Sequence, residues 1–571
     1  MSGFARRIRS TDRDRGRCAG AGRALAAAVA VLGASALTGC APTGTDAPRA
    51  AAAPPAASTE PADRAELRPF YQQKLTWSGC GELECATLTV PMDYAQPQNG
   101  KTFVLPLARK TAADPAQRVG SLVFGPGGPG VSGVRHLTSG GIESFSKESR
   151  ARFDVVGFDQ RGVAGSKPAV DCTPADPSPG APAVTPPGGT GGANADAPKP
   201  LFPRTDAERR AALADADRSA ADCRARSGAL LPHLGTLDAA RDLDVLRAAL
   251  GEDRLTYIGW SYSTYLGTVY AEQFPHRVRA MVLDAAVDPS LDWSAQALSS
   301  GRAFRKAVDD YADNCANVAG PNCPADTPDG IRTLVADLYA KVARRPLPVK
   351  GSTEGLDEAT LHTAVTMSMY TPEEQWRELS EGLSAARRGD GTKLAAIARK
   401  SASLQSEGSD SPSVPDSSTG STAPAPADSS NPAPRDNTAD VLLAVNCLDV
   451  PHPTDPQAYW DVLDRAHQES GAFGASTVLA ELPCRTWPAG PTTPHRVKAD
   501  GLPPVLVVGT TGDAATPYED ARSLAAQLPG GMLLTFDGLG HTAYGRSNSC
   551  VTNAVDRYLI HLAPVPAGTS C

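Results

Sequence analysis

The sequence has no basic excess. Over 571 residues, 55 Lys and Arg stand against 63 Asp and Glu, a formal net charge of −8. That balance leaves no electrostatic footprint for a nucleic-acid partner. Its 12 cysteines contain no C-x-x-C spacing, so no zinc site built on paired cysteines is expected. The apolar run ALAAAVAVLGASAL near the N-terminus is too short to cross a bilayer comfortably. The glycine-rich loop Gly125-Pro126-Gly127-Gly128-Pro129-Gly130 has no Gly-Lys-Ser/Thr behind it, and its prolines remove backbone donors, so it is not a phosphate-binding loop. Hydrophobic residues at 41% and charged residues at 21% fit a globular chain. The length suits one large domain carrying an insertion.

The N-terminus reads as a transport signal. Arg6, Arg7, Arg9, Arg13, Arg15, Arg17 and Arg23 precede and open the short apolar run. The run ends in Leu37-Thr38-Gly39-Cys40, the pattern of a lipobox, whose cysteine takes a lipid and becomes the new N-terminus. The expectation is export and a lipid anchor at Cys40 on the outer face of the cell membrane, the only membrane contact expected. The Arg6-Arg7 pair raises twin-arginine export, although its flanks match that signal poorly. Removing residues 1–39, with seven arginines and two aspartates, leaves a net charge of −13, which favours solubility. Ten cysteines then remain beyond Cys40, an even number in an exported chain. Sequential pairing (80–85, 172–223, 315–323, 447–484, 550–571) is expected because each pair closes a local loop.

Residues 40–65 are Ala/Pro-rich and aperiodic, and read as a tether. Residues 173–204 (Pro/Gly-rich) and 405–437 (Ser/Pro/Asp-rich) lack the apolar content to offset ordering entropy and read as surface insertions. Elsewhere strand and helix alternate. TFVLPLAR, GSLVFG, FDVVGF, RLTYIG, RAMVLD, PPVLVVG and GMLLTF are strand-like, several of them near-continuous apolar runs of the kind buried on both faces. TLDAARDLDVLRAALG is an amphipathic helix, with Thr236 as its expected N-cap and Gly251 as its stop. This alternation implies an α/β architecture with a mostly parallel central sheet. Residues 291–440 are helix-like and interrupt it, as an inserted helical cap would. The core is thus expected in two parts, 66–290 and 441–571.

Active sites of open parallel sheets lie beyond the carboxyl ends of the strands. After RLTYIG comes Gly259-Trp260-Ser261-Tyr262-Ser263, a strand-to-helix corner of the form G-x-S-x-small. Such a corner strains the serine backbone and projects its hydroxyl at the N-terminus of a helix, whose dipole favours negative charge. The second small residue is Ser263 instead of glycine, so this corner needs extra room. The glycine loop after GSLVF suits an oxyanion hole, with Gly128 as one N–H donor and Tyr262, just after the serine, as the other. Asp513 follows PPVLVVGTTG and His541 follows GMLLTF. The order Ser261, Asp513, His541 is that of an α/β-hydrolase: the histidine takes the serine's proton and the acid fixes its tautomer. Asp284 and Asp288 are rival acids; Asp513 is preferred because it ends the strand just before the histidine strand. Asp154, Asp159 and Arg161 read as turn-holding residues.

Together these motifs, with AVNCLD, CRTWP, GDAATPYEDAR and GLGHTAYG, resemble the α/β-hydrolase-fold serine exopeptidases, the secreted tripeptidyl aminopeptidases of actinobacteria and their prolyl aminopeptidase relatives. The resemblance covers most of residues 66–571. It implies a proton-relay triad, no cofactor, no metal, and release of short peptides from free N-termini. Ser263 and Ala164 stand where that family has glycine, and the two low-complexity tracts are foreign to it. An exopeptidase must hold its substrate's ammonium group, and a carboxylate under the cap is the physical requirement. Asp449, Glu373, Glu374 and Asp288 are candidates. Two other readings are an esterase on the same triad and a non-enzymatic binding protein; the presence of all three triad residues and the glycine loop argues against the second.

Overall fold

The computed structural model describes residues 64–173, 200–406, 435–488 and 490–571, without the side chains of 401–406. The expected signal, Cys40, and residues 40–63 of the expected tether lie outside this range.

Nine strands form one sheet: β1 (Ser78–Cys80), β2 (Leu83–Pro91), β3 (Thr102–Lys110), β4 (Gly120–Gly125), β5 (Phe153–Phe158), β6 (Leu255–Trp260), β7 (Val278–Asp284), β8 (Leu506–Gly512) and β9 (Met532–Leu539). Their spatial order is β1-β2-β3-β5-β4-β6-β7-β8-β9. The strands from β5 to β9 all run parallel, and β1–β3 add an antiparallel edge. The apolar runs explain the core strands. β4 and β5 are buried at every position, because helices cover both faces. One face packs on the helices Thr236–Ala249, Tyr262–Gln273 and Tyr518–Gln527 through residues such as Leu243, Leu266 and Leu524. The other packs on Phe145 and the helix Ser549–His561 through Val551, Val555 and Leu559. The Arg161 guanidinium is buried and forks onto Asp242 at 2.7 and 2.6 Å while donating to the Met92 and His233 carbonyls. Asp154 and Asp159 hold neighbouring loops through Ala112 N–H and Gly165 N–H.

The chain between β7 and β8 is helical, but the expected boundary at 440 falls inside the helix Thr438–Asp449. Two further helices, Pro456–Ser470 and Ala472–Glu481, follow it and bury Tyr459, Leu463 and Val478 against Leu298 of the cap helix Trp293–Val318. The insertion therefore extends towards β8, and these helices lay their apolar face on the cap helix and on Ala216 of the helix Asp206–Ser227. A second cap cluster surrounds Trp376, Leu379, Leu383 and Tyr311.

Both low-complexity tracts are shorter than expected at their C-terminal ends. Leu201 is buried in the cap and Phe202 stacks on His467 with ring centroids 3.7 Å apart. Asn437 is buried and donates to the Gly162 and Val170 carbonyls. The tether likewise ends before Arg64, which is buried and donates to Tyr94 O. All five sequential cysteine pairs are bridged.

Candidate active site

The carboxyl ends of β4, β6, β7, β8 and β9 gather the residues singled out above. Ser261 follows β6 with φ 55° and ψ −127°, in the left-handed half of backbone space that an L-residue enters at a cost. Ala285, just past β7, and Thr542, just past His541, also have positive φ, at 61° and 68°. Strain at three such positions, after β6, β7 and β9 at the same edge of the sheet, marks the region as held in place by its surroundings.

The corner leaves no space for larger residues. A Cβ on Gly259 would lie 2.3 Å from the Ser263 carbonyl oxygen. Ser263 finds its extra room opposite Gly125, where a Cβ would lie 2.6 Å from the serine Cβ and Oγ. The Ser263 hydroxyl is also used: it accepts from Gly127 N–H at 3.1 Å and ties the glycine loop to the corner. Gly127 has φ 104°, and a Cβ there would meet Ser261 Cβ at 3.0 Å, so the loop lies directly against Ser261. Gly128 and Tyr262 bond through their N–H groups to nothing else among the described residues. For Tyr262, first residue of its helix, this is inherent to a helix start.

Asp513 is 4% exposed, and His541 is 9% exposed. The His541 Nδ1–H donates to Asp513 Oδ1 at 2.8 Å, with Oδ2 at 3.1 Å. A carboxylate accepts only, so the proton sits on Nδ1 and the Nε2 lone pair is available. Among the described residues Nε2 has no hydrogen-bond partner. Asp513 Oδ1 also accepts from Ala515 and Thr516 N–H, each at 2.9 Å, which fixes its rotamer.

Asp284, a rival for the acid role, does something else. It is fully buried at the end of β7. Its carbonyl accepts from Ser261 N–H at 3.0 Å, and its carboxylate accepts from Ala543 and Tyr544 N–H at 2.8–3.1 Å. One residue thus braces the serine corner against the loop that follows His541. Burial pushes its carboxyl up to about 6 against the lowering effect of these bonds.

The cap closes on the histidine. Tyr370 O accepts from His541 N–H at 2.9 Å, and the Tyr370 ring stands edge-on to the imidazole with centroids 5.0 Å apart. Arg546 donates to the Leu539 and Thr542 carbonyls and reaches Glu373 at 3.2 Å. Sequence reasoning missed Tyr370, Arg546 and the bracing role of Asp284. Only Asp284 carried a signal, an acid at the end of the strand beside the serine strand.

The four carboxylates named for the substrate's ammonium sit apart from one another in role. Asp449 is buried and accepts from Thr236 N–H at 2.8 Å and Thr236 Oγ1 at 2.5 Å; Thr236 Oγ1 in turn meets Tyr262 Oη at 2.5 Å. Thr236 is consequently the first helical residue and not the N-cap: Gly235 occupies that position and Asp449 supplies the acceptor. Glu373 pairs with Arg546 on the cap surface, and Glu374 beside it is exposed. Asp288 accepts from Ser290 N–H, Ser290 Oγ and Gln527 Nε2 at 2.7–2.9 Å. The cluster His452, Glu481 and Cys484 has metal-like proximity, but the Cys484 sulfur is committed to Cys447.

This geometry offers a strained serine beside uncommitted N–H groups, and a histidine whose free nitrogen is set by a buried acid. Comparisons with known proteins agree with a hydrolase. Residues 120–338 match the alpha/beta hydrolase fold family, and residues 470–571 match the family of TAP-like proteins. Serine protease Hip1 of Mycobacterium tuberculosis is 34% identical over 530 residues, covering 88% of this chain and 92% of that protein. Tripeptidyl aminopeptidase of Streptomyces coelicolor is 34% identical over 490 residues, covering 85% and 82%. Carboxylesterase B of Mycobacterium tuberculosis is 32% identical over 540 residues, covering 88% and 91%. The chain belongs to the α/β-hydrolase-fold serine hydrolases of the tripeptidyl aminopeptidase-like family.

Proposed function

We propose that this hydrolase is an exported exopeptidase that releases short peptides from free N-termini through an acyl-enzyme. Ser261 Oγ attacks the scissile carbonyl while His541 Nε2 takes its proton. Asp513 keeps the second ring proton on Nδ1 and stabilises the imidazolium. Gly128 and Tyr262 N–H groups stabilise the oxyanion of the tetrahedral intermediate. The histidine returns its proton to the leaving amine, whose bond to carbon breaks. Water then attacks the acyl-enzyme, with His541 again as base, and Ser261 is restored.

The observation that carries this reading is the brace at Asp284, which links the strained Ser261 corner to the loop after His541. The substrate class draws on the tripeptidyl aminopeptidase among the relatives. The carboxylesterase among them favours a second reading, hydrolysis of esters by the same residues.

Labelling with a fluorophosphonate tests the nucleophile: the wild type is modified at Ser261, and Ser261→Ala is not modified and loses at least ~10⁴-fold in kcat. Absence of labelling in the folded wild type would leave only a non-enzymatic role. Tripeptide p-nitroanilides with free and N-acetylated termini, set against p-nitrophenyl esters, separate the other readings. Equal cleavage of free and blocked peptides overturns the exopeptidase assignment, and turnover of esters alone favours the esterase. Export and lipidation rest on residues 1–40. Membrane fractionation of the wild type and Cys40→Ala tests both. Among the described residues no helix is long and apolar enough to cross a membrane.

A further inference from the structure

Beside the loops after β7 and β8 lies a cleft of about 370 Å³. Its walls are the segment after Asp284, the first half of the cap helix Trp293–Val318, and the start of the helix Tyr518–Gln527, with Arg465 at one side. The second half of that cap helix reaches the end of β8, where Asp310 Oδ2 lies 3.3 Å from the position a Cβ on Gly512 would take. The cleft therefore opens along the element that roofs the Asp513 strand.

The charged groups of this cleft differ in one respect. Arg302 and Arg465 both ion-pair with Glu469 at 2.8 Å. Asp288 Oδ1 already accepts from Ser290 N–H, Ser290 Oγ and Gln527 Nε2. Glu519 is exposed to solvent. Asp520 is 8% exposed, and among the described residues its carboxylate has neither a hydrogen bond nor an ion pair. Asp520 lines the cleft and its oxygens are not sealed from solvent, so a ligand in the cleft can reach them. Burial, followed by the negative charges of Asp288, Glu519 and Asp513, pushes its carboxyl up to about 7, with Arg302 opposing. Asp520 stands in the first turn of the helix Tyr518–Gln527, which follows the Asp513 loop, and Asp513 orients His541. A primary ammonium entering the cleft would give Asp520 the charge-assisted hydrogen bond it lacks and offset the surrounding negative charge.

We propose that the Asp520 carboxylate, in the cleft between the cap helix Trp293–Val318 and the helix Tyr518–Gln527, binds the free N-terminal ammonium of the peptide substrate. This rests on the exopeptidase reading above and assigns to Asp520 the part that sequence alone offered to Asp449, Glu373, Glu374 and Asp288. Asp520 is a specificity residue and takes no part in acyl transfer.

The test compares Asp520→Asn and Asp520→Ser with the wild type on a free tri-alanyl p-nitroanilide, its N-acetyl form, and an N-acetyl peptide carrying a lysine side chain. Fluorophosphonate labelling rate serves as the measure of an intact triad. The expected result is a rise in KM of at least tenfold for the free peptide with kcat within twofold. The acetylated alanyl peptide and the labelling rate should stay within twofold. Unchanged KM for the free peptide in variants that label normally overturns the assignment and leaves the exopeptidase reading intact. A loss confined to the lysine-bearing acetylated peptide also overturns it, because the site would then read a side-chain cation. Should the wild type cleave free and blocked peptides equally, the exopeptidase reading and this inference fall together.

Discussion

Asp284, fully buried, ties the serine corner to the loop after His541. Its carboxylate takes two N–H groups of the loop after His541, and its own carbonyl takes the N–H of Ser261. Asparagine at this position would keep one acceptor oxygen and aim an NH₂ at donors. Buried donors left unpaired cost about 1–3 kcal/mol each, and here that cost would fall on the spacing between serine and histidine. Asp284→Asn should lower kcat about 10²-fold, in the range of a mispositioned catalytic group, with KM near the wild-type value. The fluorophosphonate labelling rate should fall in parallel. Wild-type kcat with an intact labelling rate would show that the loop holds its place without the brace. Residues at this scale were partly legible. Asp513 and His541 could be chosen because each follows a strand of recognisable apolar composition. Ser263 was visible as a departure, yet its acceptor role towards Gly127 was not, since nothing in sequence brings positions 127 and 263 together. Ala164, where the resemblance implies glycine, has a φ of 41°, a conformation that glycine adopts without strain.

Among elements, apolar runs gave reliable strands because both faces of a parallel sheet must be covered. The antiparallel edge β1–β3 was not legible as such: TFVLPLAR reads as a strand whichever way its neighbours run. The cap's extent failed at residue 440 for a related reason. An amphipathic helix such as Pro456–Ser470 declares an apolar face but not the partners that cover it, and here they include Leu298 on the cap and Ala216 on the helix Asp206–Ser227. The bridges are local and were legible, and they differ in what they close. Cys172 and Cys223 are 51 residues apart, whereas Cys80 and Cys85 are five apart. Loop-closure entropy then gives about 4 kcal/mol for the first and about 2 for the second. Replacing Cys172 and Cys223 by alanine should lower the urea midpoint about twice as far as replacing Cys80 and Cys85. Equal shifts would mean that strain or residual structure in the unfolded chain outweighs loop length at these sites.

Across the whole molecule, three distant stretches meet at a buried acid. Thr236 opens a core helix, Tyr262 follows Ser261, and Asp449 comes from the long insertion between β7 and β8. Among the described residues Asp449 has no cationic partner, and burial pushes its carboxyl from 3.8 up to about 7 despite the bonds from Thr236. A folded-state pKa above the unfolded value means that the native protein holds a proton the unfolded chain has released. Between those two values stability therefore falls as pH rises, by up to about 1.4 kcal/mol per pH unit, and levels off above about 7. Asp449→Asn is neutral throughout and keeps one acceptor for Thr236. Its stability relative to the wild type should therefore improve steadily from pH 4 to pH 7 and stay constant above. Urea midpoints of the two proteins at half-unit steps across pH 4 to 8 measure this directly. Parallel curves would mean that Asp449 ionises equally in both states, and the tie between insertion, helix and serine corner would then be held by packing instead of by a proton.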